Sequence, residues 1–205
     1  MAIDTASQGL RLVTPDNETV LDLAPLQGLW TLEQYFTLTD ASRRLLEFID
    51  GSLEVLPRPT DRHQVISRLL LFALFAYVQP RGGTVLYAPL RLQIRAGKFR
   101  EPDLLLVRDA QDPRRQNRFW LGADLVVEIV SPDDPERDTQ VKRSDYAEAG
   151  IAEYWIVNPL DESLTVLTLA GQTYREHGVF RRGQQARSAL LPDLTVSVTE
   201  VFEAV

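Results

Sequence analysis

Glu128 stands inside an otherwise apolar run, Leu125-Val126-Val127-Glu128-Ile129-Val130. Burying an unpaired ionised carboxylate costs on the order of several kcal/mol, so such a residue calls for a metal ion, a basic side chain or a raised pKa. A glutamate at a sheet edge, reaching a surface arginine, is the plainer alternative. Asp103 opens the preceding apolar run after Arg100-Glu101-Pro102, and taken alone it reads equally well as a turn aspartate. If the two runs pair as neighbouring strands about 4.8 Å apart, the carboxylates converge. At about 4 Å they repel by roughly 4 kcal/mol at an effective dielectric of about 20, and a hard divalent cation, Mg²⁺ or Mn²⁺, relieves that repulsion. Lys142 and Tyr146 are four apart and share one helix face, as does Asp138 four before Lys142. A solvated surface pair of Asp138 with Lys142 is the ordinary use of that spacing.

The elements that must position these residues follow from periodicity and punctuation. Thr31 with Gln34 forms a capping box that opens a short helix through about Leu38. Asp50-Gly51 predicts a hairpin between Leu45–Ile49 and Leu53–Leu56. Asp61 with Gln64 predicts the start of a second helix, whose apolar run Leu69–Val78 is wide enough to be sandwiched against a sheet. Strands are expected at Thr84–Ile94, Asp103–Val107 and Asp124–Val130. The last lacks polar alternation, as a central strand covered on both faces does. A helix over about Asp138–Ala149 stops at Gly150, and strands follow at Ala152–Val157, Ser163–Leu169 and Thr173–His177.

Composition narrows the field. The chain has 205 residues, 44% of them hydrophobic, enough for a packed core, and no linker or repeat divides it. Absence of cysteine removes disulfides, thiolate nucleophiles and Cys-containing zinc sites, and fits a reducing cytoplasm. The start of the chain lacks a signal-peptide pattern, and the ten-residue apolar run is too short for a membrane span, which needs about 20. There is no Gly-rich phosphate loop and no Gly-x-Ser-x-Gly elbow, and the two histidines, His63 and His177, are too separated to read as a zinc site.

Several separate segments together resemble the Uma-type family of restriction endonucleases, of the PD-(D/E)XK fold. They are Glu47-Phe-Ile-Asp-Gly51, His63 opening the long helix, Glu101-Pro-Asp103, Val127-Glu128-Ile-Val-Ser-Pro132, Asp138 with Lys142 and Tyr146, and Gly150-Ile-Ala-Glu-Tyr-Trp-Ile-Val-Asn-Pro159. The resemblance runs from about Trp30 to Val205. It implies an α/β, restriction-endonuclease-like fold, a central mixed β-sheet flanked by helices, with an N-terminal β-hairpin and a C-terminal strand extension. Residues 1–29 are then an N-terminal extension and 30–205 a single nuclease-like domain. The resemblance further implies a DNA endonuclease using Mg or Mn, in which Asp103 and Glu128 hold the cation with the Ile129 carbonyl, and Glu47 extends the acidic cluster. The superfamily's lysine position, two after Glu128, holds Val130, so the catalytic lysine is expected to be Lys142. His63, Tyr146 and Arg100 are assigned to positioning the substrate. A homodimer in the cytoplasm, with no membrane association, completes the expectation.

A formal net charge of −7 opposes indiscriminate DNA binding. Its distribution is uneven, however: residues 62–90 carry three arginines and no acid, and 91–118 carry 8 basic to 4 acidic side chains. Arg91, Arg95, Lys98 and Arg100 lead to Asp103, which predicts basic strips flanking an acidic cleft. Two other readings stay open. One is a nuclease-fold module that has lost catalysis and binds DNA or a protein, favoured by Val130. The other is a purely structural oligomer subunit.

Overall fold

The computed structural model describes residues 2–4, 11–13, 19–41 and 44–204. In chain order its elements are β1 (Ala2–Asp4), β2 (Arg11–Val13), β3 (Thr19–Asp22), α1 (Leu32–Ala41), β4 (Leu46–Ile49), β5 (Ser52–Val55) and α2 (Asp61–Val78). There follow β6 (Thr84–Tyr87), β7 (Leu92–Arg95), β8 (Lys98–Arg100), β9 (Leu104–Val107), β10 (Leu125–Ile129) and α3 (Lys142–Glu148), which is preceded by a π-helical turn, Arg137–Val141. The chain ends with β11 (Glu153–Asn158), β12 (Ser163–Ala170), β13 (Thr173–Arg181), β14 (Gln185–Arg187), β15 (Thr195–Ser197) and α4 (Val198–Glu203). Two compact units result, one of residues 1–58 with 96–100, the other of 59–95 with 101–205.

In the first unit, α1 starts in the expected capping box: Thr31 N–H donates to Gln34 Oε1 (2.8 Å), and Gln34 N–H to Thr31 Oγ1 (3.2 Å). The β4–β5 hairpin turns on Asp50 and Gly51, both at positive φ (47° and 85°), as a tight two-residue hairpin loop requires. A side chain at Gly51 would also strike the Gly28 carbonyl, since a Cβ there would lie 2.5 Å from its oxygen. Tyr35, Phe36, Phe48 and Phe99 form this unit's aromatic core, with Tyr35 stacked on Phe48 at 5.2 Å.

The second unit is built on a six-stranded sheet in the order β13-β12-β11-β10-β9-β6. Only β10 and β11 are parallel; the other neighbours are antiparallel, so the sheet is mixed. One face packs α2, α4 and the β14–β15 pair over Leu104, Leu106, Leu125, Val127 and Ile129. The other packs α3 over Leu105, Val107, Val126 and Val130. Strand alternation therefore turns Asp103 and Glu128 to the α3 face, beside Leu105, Val107, Val126, Val130 and Tyr154.

Three local expectations are corrected. The cap of α2 is Thr60, one residue earlier than the Asp61 predicted, and its hydroxyl accepts from His63 N–H. Helix α2 packs against the sheet as expected, but through a narrower stripe than the wide face predicted: Ile66, Leu70, Leu74 and Val78 are buried, while Phe72 and Phe75 are exposed. Finally, the strand predicted over Thr84–Ile94 is two, β6 and β7, because Pro89 between them has no N–H for a ladder. Among the described residues no helix is long and apolar enough to cross a membrane.

Candidate active site

Strands β9 and β10 pair antiparallel with Leu104 opposite Val127, and one further step of that register sets Asp103 opposite Glu128. Each carboxylate is held differently. Asp103 receives the Ile129 amide on Oδ2 (2.7 Å), and its Oδ1 lies 2.9 Å from His63 Nε2. Ile129 thus meets Asp103 through its N–H. The His63 and Asp103 side chains each remain 17% exposed, which makes this the open edge of the site. His63 reaches it from the first turn of α2, where the Thr60 cap fixes the helix start.

Glu128 is 2% exposed. Its Oε1 accepts a short hydrogen bond from the Tyr146 hydroxyl and an ion-paired contact from Lys142 Nζ at 2.9 Å. Burial pushes its pKa well above the ordinary glutamate range; Lys142 opposes that shift, while the negative charges of Asp103 and Asp138 add to it. The ammonium of Lys142 is also 3.2 Å from Asp138 Oδ1. Position 130, two residues after Glu128, is a valine buried in the apolar core, and the ammonium beside Glu128 is that of Lys142 on α3.

Asp138 and Tyr154 are further members of the cluster. Asp138 is 4% exposed, so its pair with Lys142 is buried and not the solvated one the spacing allowed. Tyr154 donates to the Asp138 carbonyl (2.7 Å) and packs edge-on against Tyr146, the ring centroids 5.0 Å apart. Burial, and then the charge of Glu128, holds the Tyr154 phenol far above its usual pKa, so it stays a neutral donor. The four-residue spacing of Asp138 and Lys142 was a sequence signal; for Tyr154 there was none, because it sits in an unbroken buried strand.

Glu47 and Arg100 belong to the other unit and engage each other there. Glu47 and Glu54 face one another across the β4–β5 pair, and buried Arg100 donates to both, at 3.0 Å to Glu54. This joins two like charges that would otherwise destabilise the hairpin. The basic strip expected before Asp103 is likewise turned to acids: Arg91 is buried near Glu101 (4.0 Å), and Arg95 pairs with Glu148 at 2.9 Å.

The donor chemistry at Asp103 and Glu128 fits a hard cation: oxygen ligands, opposed on adjacent strands, in a cluster with excess negative charge. Among the described residues no group of three or more His, Asp or Glu forms a ready-made cage. An open pair of carboxylates suits Mg²⁺, which keeps several waters and takes one or two protein carboxylates.

The family model described as "Uma2: Putative restriction endonuclease" matches residues 32–199. Among solved structures, this chain is similar to a "putative nuclease belonging to DUF820" from Anabaena variabilis ATCC 29413, with a TM-score of 0.68. The two are 21% identical, over 84% of this chain and 97% of that one, a likeness of fold. No curated protein matches.

Proposed function

This chain belongs to the Uma2 family, described as putative restriction endonucleases, and on that premise we propose that it is a divalent-cation-dependent endonuclease hydrolysing phosphodiester bonds in DNA. The observation that carries the proposal is the placement of Lys142 Nζ 2.9 Å from Glu128, on the strand register that brings Asp103 opposite. An ammonium so placed restores the acid–acid–lysine set despite Val130.

Asp103 and Glu128 would hold Mg²⁺ or Mn²⁺, which when bound acidifies a water and offsets charge on the phosphoryl oxygens. Lys142 orients the attacking water or counters the charge that develops during displacement. Tyr146 fixes the rotamer of Glu128. His63 braces Asp103 from the α2 N-terminus, whose first-turn amides and dipole favour an approaching phosphate. Glu47 and Arg100 act in this reading as an internal ion pair between β8 and the β4–β5 hairpin. A homodimer would present two such sites to the two strands of a duplex.

The test is cleavage of supercoiled plasmid and of single-stranded DNA with Mg²⁺ or Mn²⁺ by wild type, Asp103→Ala and Glu128→Ala. Cleavage by wild type alone is expected; activity persisting in both variants removes the assignment. Val130 favours one rival, a module that binds DNA without cutting it, and salt-sensitive binding by a wild type that cleaves nothing would establish that rival.

A further inference from the structure

Asp138 has no part in the chemistry above, yet it is buried and aimed at Lys142. We propose that Asp138 is a positioning residue that keeps the Lys142 ammonium in the site when Glu128 turns to a divalent cation. The inference rests on the cation-dependent reading just given.

Lys142 Nζ is shared between two carboxylates, Glu128 at 2.9 Å and Asp138 at 3.2 Å, and its side chain is 5% exposed. A cation on Glu128 repels the ammonium and takes up the oxygen charge that held it. With Glu128 as its only partner, a buried ammonium in that position would have to move out. The second carboxylate removes that conflict. Asp138 is itself anchored away from the strand pair: its Oδ2 takes the Ser131 amide (3.4 Å), and its carbonyl takes the Tyr154 hydroxyl. The backbone around it is also specialised, since Lys142 N–H donates to the Arg137 carbonyl five residues back, a π-turn that widens the helix where Asp138 and Lys142 meet.

The experiment is calorimetric titration of Mn²⁺ into metal-free, full-length wild type, Asp138→Asn, Lys142→Gln and the double variant, with folding checked by circular dichroism. If Asp138 acts through Lys142, Asp138→Asn weakens Mn²⁺ binding about tenfold in the wild-type background, the scale of a supporting-shell loss. The same change has almost no effect in the Lys142→Gln background, because the coupling partner is gone. Equal weakening in both backgrounds identifies Asp138 as a direct ligand and overturns the inference while leaving the cation-dependent reading intact. Unchanged affinity in Asp138→Asn also overturns it. Asp138→Glu, which keeps the charge and does not depend on Lys142→Gln folding, should retain most of the affinity; a loss as large as that of Asp138→Asn contradicts the proposal. A wild type that binds no Mn²⁺, or an Asp103→Ala variant that binds it equally well, defeats the cation-dependent reading and this inference together.

Discussion

Glu128 and Glu153 are buried on neighbouring parallel strands, β10 and β11, and their surroundings differ in kind. Glu153 accepts four hydrogen bonds from neutral donors: Trp155 Nε1 (2.7 Å), Ser188 Oγ (2.6 Å), and the amides of Ala189 and Leu190 (2.7 Å each). It fastens the 188–190 segment to the sheet and is fully occupied in doing so. Glu128 has a tyrosine and a lysine shared with another acid, and its carboxylate is destabilised by burial and by two further negative charges. One buried carboxylate is held by four neutral donors; the other is held by a hydroxyl and by an ammonium shared with a second acid. Burial of an acid therefore does not mark a site, whereas burial among other charges points to one.

The sharpest way to break this contrast is to remove each acid in turn. Glu128→Ala should lower DNA cleavage by about 10³-fold or more, the range seen when a preorganised electrostatic group is lost, and a plasmid-nicking time course measures it. Glu153→Ala should instead destabilise the fold by about 3–5 kcal/mol, since it strands buried donors, and leave Mn²⁺ affinity unchanged; urea unfolding and calorimetry separate the two effects. Saturating Mg²⁺ at about 100 times its dissociation constant should raise wild-type stability by about 2.7 kcal/mol, and should do nothing for Glu128→Ala.

The pH dependence of the metal-free protein has a defined sign. The pKa of Glu128 is higher in the folded than in the unfolded chain, so the native state binds that proton more tightly. Its contribution is greatest below the ordinary glutamate value, and it is lost as pH rises from there through the raised folded value. Urea unfolding over a pH series should show wild type losing stability in that interval relative to Glu128→Gln; parallel curves would mean that Glu128 is not the perturbed group. Thr60→Ala, the mildest change, should cost about 1 kcal/mol through the lost α2 cap. It should reduce cleavage only as far as His63 is displaced from Asp103.

How much of this was legible depended on range. The Thr31–Gln34 box and the Asp50-Gly51 turn were readable because their partners lie within a few residues. So was the unusual position of Glu128, since an acid inside an apolar strand is a local anomaly. The Thr60 cap was missed by one residue because Thr60 and Asp61 can both cap, and the sequence does not show which backbone turns first. The basic run before Asp103 looked like a DNA-facing strip. Its arginines instead meet Glu47, Glu54, Glu101 and Glu148, and Glu47, Glu54 and Glu148 are tens of residues away in the chain.

By itself the sequence determined that an acid stands inside an apolar run, that another acid heads the apolar run before it, and that a lysine and a tyrosine are spaced to share one helix face. Periodicity and composition are local quantities, and these conclusions need nothing more. Only the tertiary structure decided that Asp103 stands opposite Glu128, that the Lys142 ammonium lies 2.9 Å from Glu128, and that Asp138 lies buried beside it. Strand register and helix docking bring together residues up to about forty apart, and the electrostatics of a site arise from those distances, which no spacing along the chain encodes.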